Sequence, residues 1–131
     1  MAELILPDSN VYIDAWRSGK DPFVRFAAAL ENDDEFATCG MVRLEVCRGV
    51  RDPNVLRRVR ERFAVMIFVT TTNQVWERAT ELAWRLDRRG VVLPGPDLFI
   101  AACALQVGAT VLTADAHFSA IPGLTVRSSL D

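Results

Sequence analysis

The sequence has one lysine, Lys20, against fourteen arginines, a single histidine, His117, and three cysteines without Cys-x-x-Cys spacing. The odd set of Cys39, Cys47 and Cys103 argues against a disulfide framework, and its spacing against a structural zinc site; a reducing compartment is expected. No apolar run approaches the roughly 20 residues that a bilayer span needs. The start, Met1 to Leu6, lacks a basic region and a long apolar stretch, so no secretory signal is expected. There is no internal repeat, linker or low-complexity tract. The formal net charge of −2 demands neither nucleic acid nor a membrane surface as partner. Arginine suits bidentate phosphate contacts, yet its excess over lysine can equally reflect genome composition. These absences leave a cytoplasmic, single-domain reading of residues 1–131, and with half the residues hydrophobic the domain has a substantial core.

What is there centres on Gly95-Pro96-Asp97 and the run from Leu98 to Leu105, apolar for eight residues. A helix apolar on every side is buried or in a membrane, and this one is too short to span. Pro96 fits a helix start and Gly108 a helix stop. The β-branched stretch Ala109 to Thr113 follows and leads to a second carboxylate, Asp115. Elsewhere, Glu3–Leu6 reads as a first strand that Pro7 should end, because proline donates nothing to a ladder. Val11–Trp16 reads as a short helix capped by Ser9 or Asn10. Asp21-Pro22 opens a helix with Phe23, Phe26, Ala27 and Leu30 inward.

Glu35–Thr38 fits a second strand. Gly40–Arg48 fits a helix with Met41, Leu44 and Val46 or Cys47 inward. Asp52-Pro53 opens a helix to about Arg62 that buries Val55, Leu56 and Val59. Phe63–Thr70 reads as a third strand, with Val65, Ile67 and Val69 on one face. Thr72–Arg89 carries a long core stripe of Val75, Ala79, Leu82, Ala83 and Leu86. Ala116–Ile121 fits a helical turn and Leu124–Val126 a last strand. This alternation predicts an α/β fold, a mostly parallel central sheet flanked by helices.

Ligands in such sheets bind beyond the carboxyl ends of the strands. Asp8 and Asp115 stand at expected strand ends, and Asp97 at the start of a helix that begins on the same edge. Glu45, mid-helix among Leu44, Val46 and Cys47, is a fourth candidate. Carboxylates held this close raise one another's pKa or require a counter-ion. A hard divalent cation, Mg²⁺ with Mn²⁺ as substitute, suits a cluster of oxygens and can activate water against a phosphodiester.

Four stretches resemble the motifs of PIN-domain nucleases. They are Leu6-Pro7-Asp8-Ser9-Asn10-Val11-Tyr12-Ile13-Asp14, Arg43-Leu44-Glu45-Val46, Pro96-Asp97-Leu98-Phe99-Ile100-Ala101-Ala102 and Leu112-Thr113-Ala114-Asp115-Ala116-His117-Phe118. Their order and the chain length resemble the VapC-type toxins of bacterial toxin–antitoxin pairs. The resemblance implies a PIN-like domain that cleaves single-stranded RNA with a metal. It carries catalytic roles to Asp8, Glu45, Asp97 and Asp115, with Asp8, Asp97 and Asp115 as metal ligands. Ser9 and Thr113 become orienting hydroxyls. It also implies a cognate antitoxin and a homodimer. Pro7 before the first acid, and His117 where many relatives carry another acid, depart from the pattern.

Plainer readings stand beside these. Asp97 can be a helix-start residue favoured by the dipole, Asp8 and Asp115 turn or cap residues, and Glu45 the rim of an amphipathic helix. Asp14 fits a solvated helix position, and His117 a surface or packing role. Arg43, Arg48 and Arg51, in a segment crowded with arginine up to Arg62, fit either a solvated face or a contact with RNA or antitoxin. Trp76 and Trp84 fit packing better than base stacking. The rival functions are a PIN nuclease of RNA maturation or DNA outside any toxin pair, and a binding module that kept the fold without catalysis.

Overall fold

Short apolar runs bounded by proline, glycine and aspartate become strands that start and stop within a few residues. In the computed structural model, which describes residues 2–30 and 32–131, five of them form one parallel sheet. These are β1 (Leu4–Pro7), β2 (Glu35–Cys39), β3 (Ile67–Val69), β4 (Thr110–Leu112) and β5 (Val126–Arg127), in the order β3-β2-β1-β4-β5. Six α-helices connect them: α1 (Ser9–Arg17), α2 (Pro22–Leu30), α3 (Gly40–Cys47), α4 (Pro53–Ala64), α5 (Asn73–Arg88) and α6 (Gly95–Val107). A 3-10 helix spans Ala116–Ala120. The chain builds outward from β1 through β2 to β3, then returns to place β4 on the other side of β1. The order therefore reverses between β1 and β4, and a crevice for ligands opens beyond their carboxyl ends.

β1 runs one residue further than expected, through Pro7, which pairs with Leu112. The next residue, Asp8, donates its N–H to the Leu112 carbonyl at 2.9 Å. Successive N–H groups of a strand face opposite neighbours, so the N–H that Pro7 lacks lies on the β2 side, where the ladder has already ended at Ile5. The proline therefore costs no sheet hydrogen bond.

α6 is the buried helix, with Leu98 to Ala104 all inside. Gly108 ends it at φ 68°, and its N–H returns to the Ala104 carbonyl. α5 lies against α6 and contributes Val75, Ala79 and Leu86 to the core. On the other flank Tyr12, fully buried, sits among Phe23, Phe26 and Phe63 at centroid distances of 5.6, 5.5 and 5.2 Å. These rings tie α1, α2 and α4 together.

Several expected faces shift. Phe63 belongs to α4, where it extends the Val59 stripe by one turn, and β3 shrinks to three residues. Val65 is 85% exposed at the end of α4 rather than inside a strand. In α2, Ala29 is buried while Ala27 and Leu30 face outward. In α3 the inward pair is Val42 and Val46, one turn apart, so Leu44 points away at 59% exposure. No helix among the described residues is long and apolar enough to cross a membrane.

Candidate active site

Asp8 directly follows β1 and is 3% exposed. It, rather than Ser9 or Asn10, caps α1, with Oδ1 accepting the Ser9 N–H at 2.8 Å. Its Oδ2 accepts the Thr113 hydroxyl at 3.1 Å. That hydroxyl oxygen in turn accepts the Asp115 N–H at 3.0 Å, so one threonine links the acid after β1 to the acid after β4. The Ser9 hydroxyl donates to Glu45 Oε1 at 2.7 Å. Because α3 buries Val42 and Val46, Glu45 is left half-buried toward the crevice.

Asp97 lies in the first turn of α6, where the dipole favours an anion. Asp115 caps the 3-10 helix by accepting the His117 N–H at 2.9 Å. The same turn brings His117 Nδ1 to 3.2 Å from Asp115 Oδ1 and 3.7 Å from Asp97 Oδ2. Asp97, Asp115 and His117 each offer a ligand atom, and the three atoms lie within 4.8 Å of one another.

The electrostatics follow from this crowding. Burial pushes the Asp8 carboxyl up to about 6, against the opposing hydrogen bonds from Thr113 and Ser9, and the charges of Asp97 and Glu45 push the same way. Burial also raises Asp97, Asp115 adds to it, and His117 pulls back down. The acids from β1, α3, α6 and the β4 end thus share one electrostatic environment. Hard oxygen donors with one imidazole, short of cationic side chains, suit a divalent cation of the Mg²⁺ or Mn²⁺ kind.

His117 is exposed, as a surface role suggests, and at the same time its imidazole lies against Asp115 and Asp97, a placement that the sequence reading did not include. Its spacing of two residues after Asp115, inside an expected helical turn, was the available signal. Asp14 is exposed, as its helix position suggested. Arg43 and Arg48 line a groove between α3 and α4 together with Leu56 and Arg60, and the Arg43 guanidinium lies 5.5 Å from the Phe68 ring centroid. Arg51 is exposed and pairs with no acid among the described residues. Trp76 packs on Phe99 at 4.5 Å between centroids, although half its surface stays exposed.

A parallel sheet with carboxylates gathered at the point where its strand order reverses defines a class: an α/β domain built around an acidic crevice. Residues 5–124 match the PIN domain family. The chain belongs to that family. Ribonuclease VapC19 of Mycobacterium tuberculosis is 30% identical over 122 residues, covering 91% of this chain and 95% of the relative. Among solved structures, VapBC2 from Rickettsia felis bound to a promoter DNA fragment superposes with a TM-score of 0.78 at 20% identity, covering 95% of this chain and 97% of that one. A toxin–antitoxin complex from Klebsiella pneumoniae gives 0.71 at 25% identity, covering 95% and 96%.

Proposed function

We propose that the protein is a metal-dependent endoribonuclease that acts as the toxin of a type II toxin–antitoxin pair. The observation that carries this reading is the contact network that brings four acids to one crevice: Thr113 ties Asp8 to Asp115, Ser9 beside Asp8 holds Glu45, and His117 lies against both Asp97 and Asp115. The 30% identity to a ribonuclease supports the substrate class. The likeness to toxin–antitoxin complexes supports a cognate antitoxin and a homodimer. A cytoplasmic setting and a single domain over the whole chain belong to the same reading.

Each residue has a role in this proposal. Asp97 and Asp115 would hold the cation with His117 Nδ1 beside them, and Asp8, joined to Asp115 through Thr113, would be its third carboxylate. Mg²⁺, or Mn²⁺ in its place, would supply charge neutralisation and a more acidic bound water. Thr113 fixes Asp8, and Ser9 fixes Glu45 by Oε1, which leaves Oε2 to take the proton of the attacking water. Arg43, Arg48 and Arg51 are assigned to contact with RNA or antitoxin outside the crevice. The antitoxin would quiet the site by bringing a basic side chain to the acids.

Single-stranded RNA, incubated with Mg²⁺ and separately with chelator, tests the proposal. Cleavage should require the metal and disappear in Asp97→Asn. Equal cleavage by that variant would remove the reading.

A further inference from the structure

An acidic crevice repels a phosphodiester backbone, so affinity for RNA has to come from cations placed beside it. A cleft of about 480 Å³ opens next to the crevice, between α1, the start of α2 and the C-terminal segment. Asp115 lines both. Lys20, the only lysine, and Arg25 line the cleft, and neither forms an ion pair among the described residues. Besides Asp115 its other polar groups are Asn10, one residue after Ser9, with Asp14, Ser18, Ser128 and Ser129, all five exposed. Val11 and Leu130, both half-buried, add apolar surface.

We propose that this cleft holds the ribonucleotide flanking the scissile phosphate and sets which position is cut. The inference rests on the nuclease reading and adds a subsite to it. Lys20 and Arg25 take the flanking phosphates. Asn10 offers a donor and an acceptor on one side chain, the chemistry that reads a base edge, and unstacked bases of single-stranded RNA expose such edges. Ser128 and Ser129 offer hydroxyls to the base or ribose. Asp14, which also lines the cleft, is an acceptor for a base amine or a ribose hydroxyl. An antitoxin arm is the rival occupant. Exposed, unpaired cations joined directly to the acid site favour nucleic acid.

Binding of a short fluorescein-labelled single-stranded RNA, measured in EDTA across a KCl series, is compared for wild type and the Lys20→Ala/Arg25→Ala double variant. The double variant should bind about tenfold more weakly, and its plot of log K against log[salt] should flatten by about 1.4, the loss of two single-strand phosphate contacts. With Mg²⁺, its loss should fall on KM more than on kcat. Lys20→Arg/Arg25→Lys should restore the salt slope. Asn10→Ala should redistribute the cut positions along a longer RNA, read by end sequencing. Wild-type affinity, slope and cut positions in these variants would overturn the proposal. So would retained RNA binding with lost affinity for the antitoxin, which would make the cleft a partner surface. Cleavage by wild type is scored separately: if it cuts RNA while the cleft variants match it, the subsite fails and the nuclease reading stands.

Discussion

The Ser9 hydroxyl and Glu45 Oε1 meet at 2.7 Å across 36 residues of sequence. Ser9 is buried in the first turn of α1 and Glu45 is half-buried on α3. The bond fixes one carboxylate oxygen and joins two helices at the rim of the crevice. A hydrogen bond to a charged group contributes about 1.5–3 kcal/mol. Ser9→Ala should therefore lower stability by about 1–2 kcal/mol in urea melts, after allowance for partial exposure. It should also cut kcat on RNA, while Ser9→Thr keeps the hydroxyl and most of the rate. Wild-type kcat in Ser9→Ala would separate this bond from catalysis.

Asp8 governs how the metal-free protein responds to pH. Its folded pKa of about 6 lies above the ordinary 3.8, so the folded state holds the proton more tightly than the unfolded chain. The resulting stabilisation is complete below about pH 4 and is lost as pH rises through 6. It amounts to about 3 kcal/mol. In EDTA, Asp8→Asn should remove this dependence and melt higher than wild type at pH 8. Equal melting temperatures at pH 8 would mean that the crevice tolerates the charge without a cation.

Neutralising Asp97 should act in the same direction, since burial and Asp115 both raise its carboxyl. Asp97→Asn should raise the melting temperature of the metal-free protein while abolishing cleavage. A lower melting temperature would count against crowding.

Mg²⁺ or Mn²⁺ should raise the wild-type melting temperature, and by more at pH 8 than at pH 5, because the ligating carboxylates must shed their protons first. Scanning fluorimetry with and without each metal reads this directly. No shift with either ion would remove metal from the account.

His117 should influence which ion is held. Its imidazole is a softer donor than a carboxylate and suits Mn²⁺ better than Mg²⁺. His117→Ala should weaken Mn²⁺ binding by about tenfold and Mg²⁺ binding less, as measured by calorimetry. Equal losses for both ions would leave the histidine as a partner of Asp115 only.

The strands and the acids at their ends were legible because proline, glycine and aspartate punctuate them. Once a sheet is parallel, direction alone puts Asp8 and Asp115 on one edge. The faces of the short helices were less legible. α3 has apolar residues on more than one side, so the pattern points Leu44 inward and passes over Val42, and only the seat of the helix on its neighbours reverses that choice. Phe63 differs for a related reason: Phe63 to Val69 is β-prone locally, but one more helical turn lets Phe63 reach Tyr12. The capping role of Asp8 and the placement of His117 depend on turn geometry that spacing does not convey.

Thr113 reaches Asp8 only after β4 has slotted in beside β1, across 105 residues of intervening sequence. A chain still being synthesised therefore carries no assembled crevice until β4 and Thr113 have left the ribosome. A copy that stops short of β4 lacks both the threonine that fixes Asp8 and the Asp115 carboxylate.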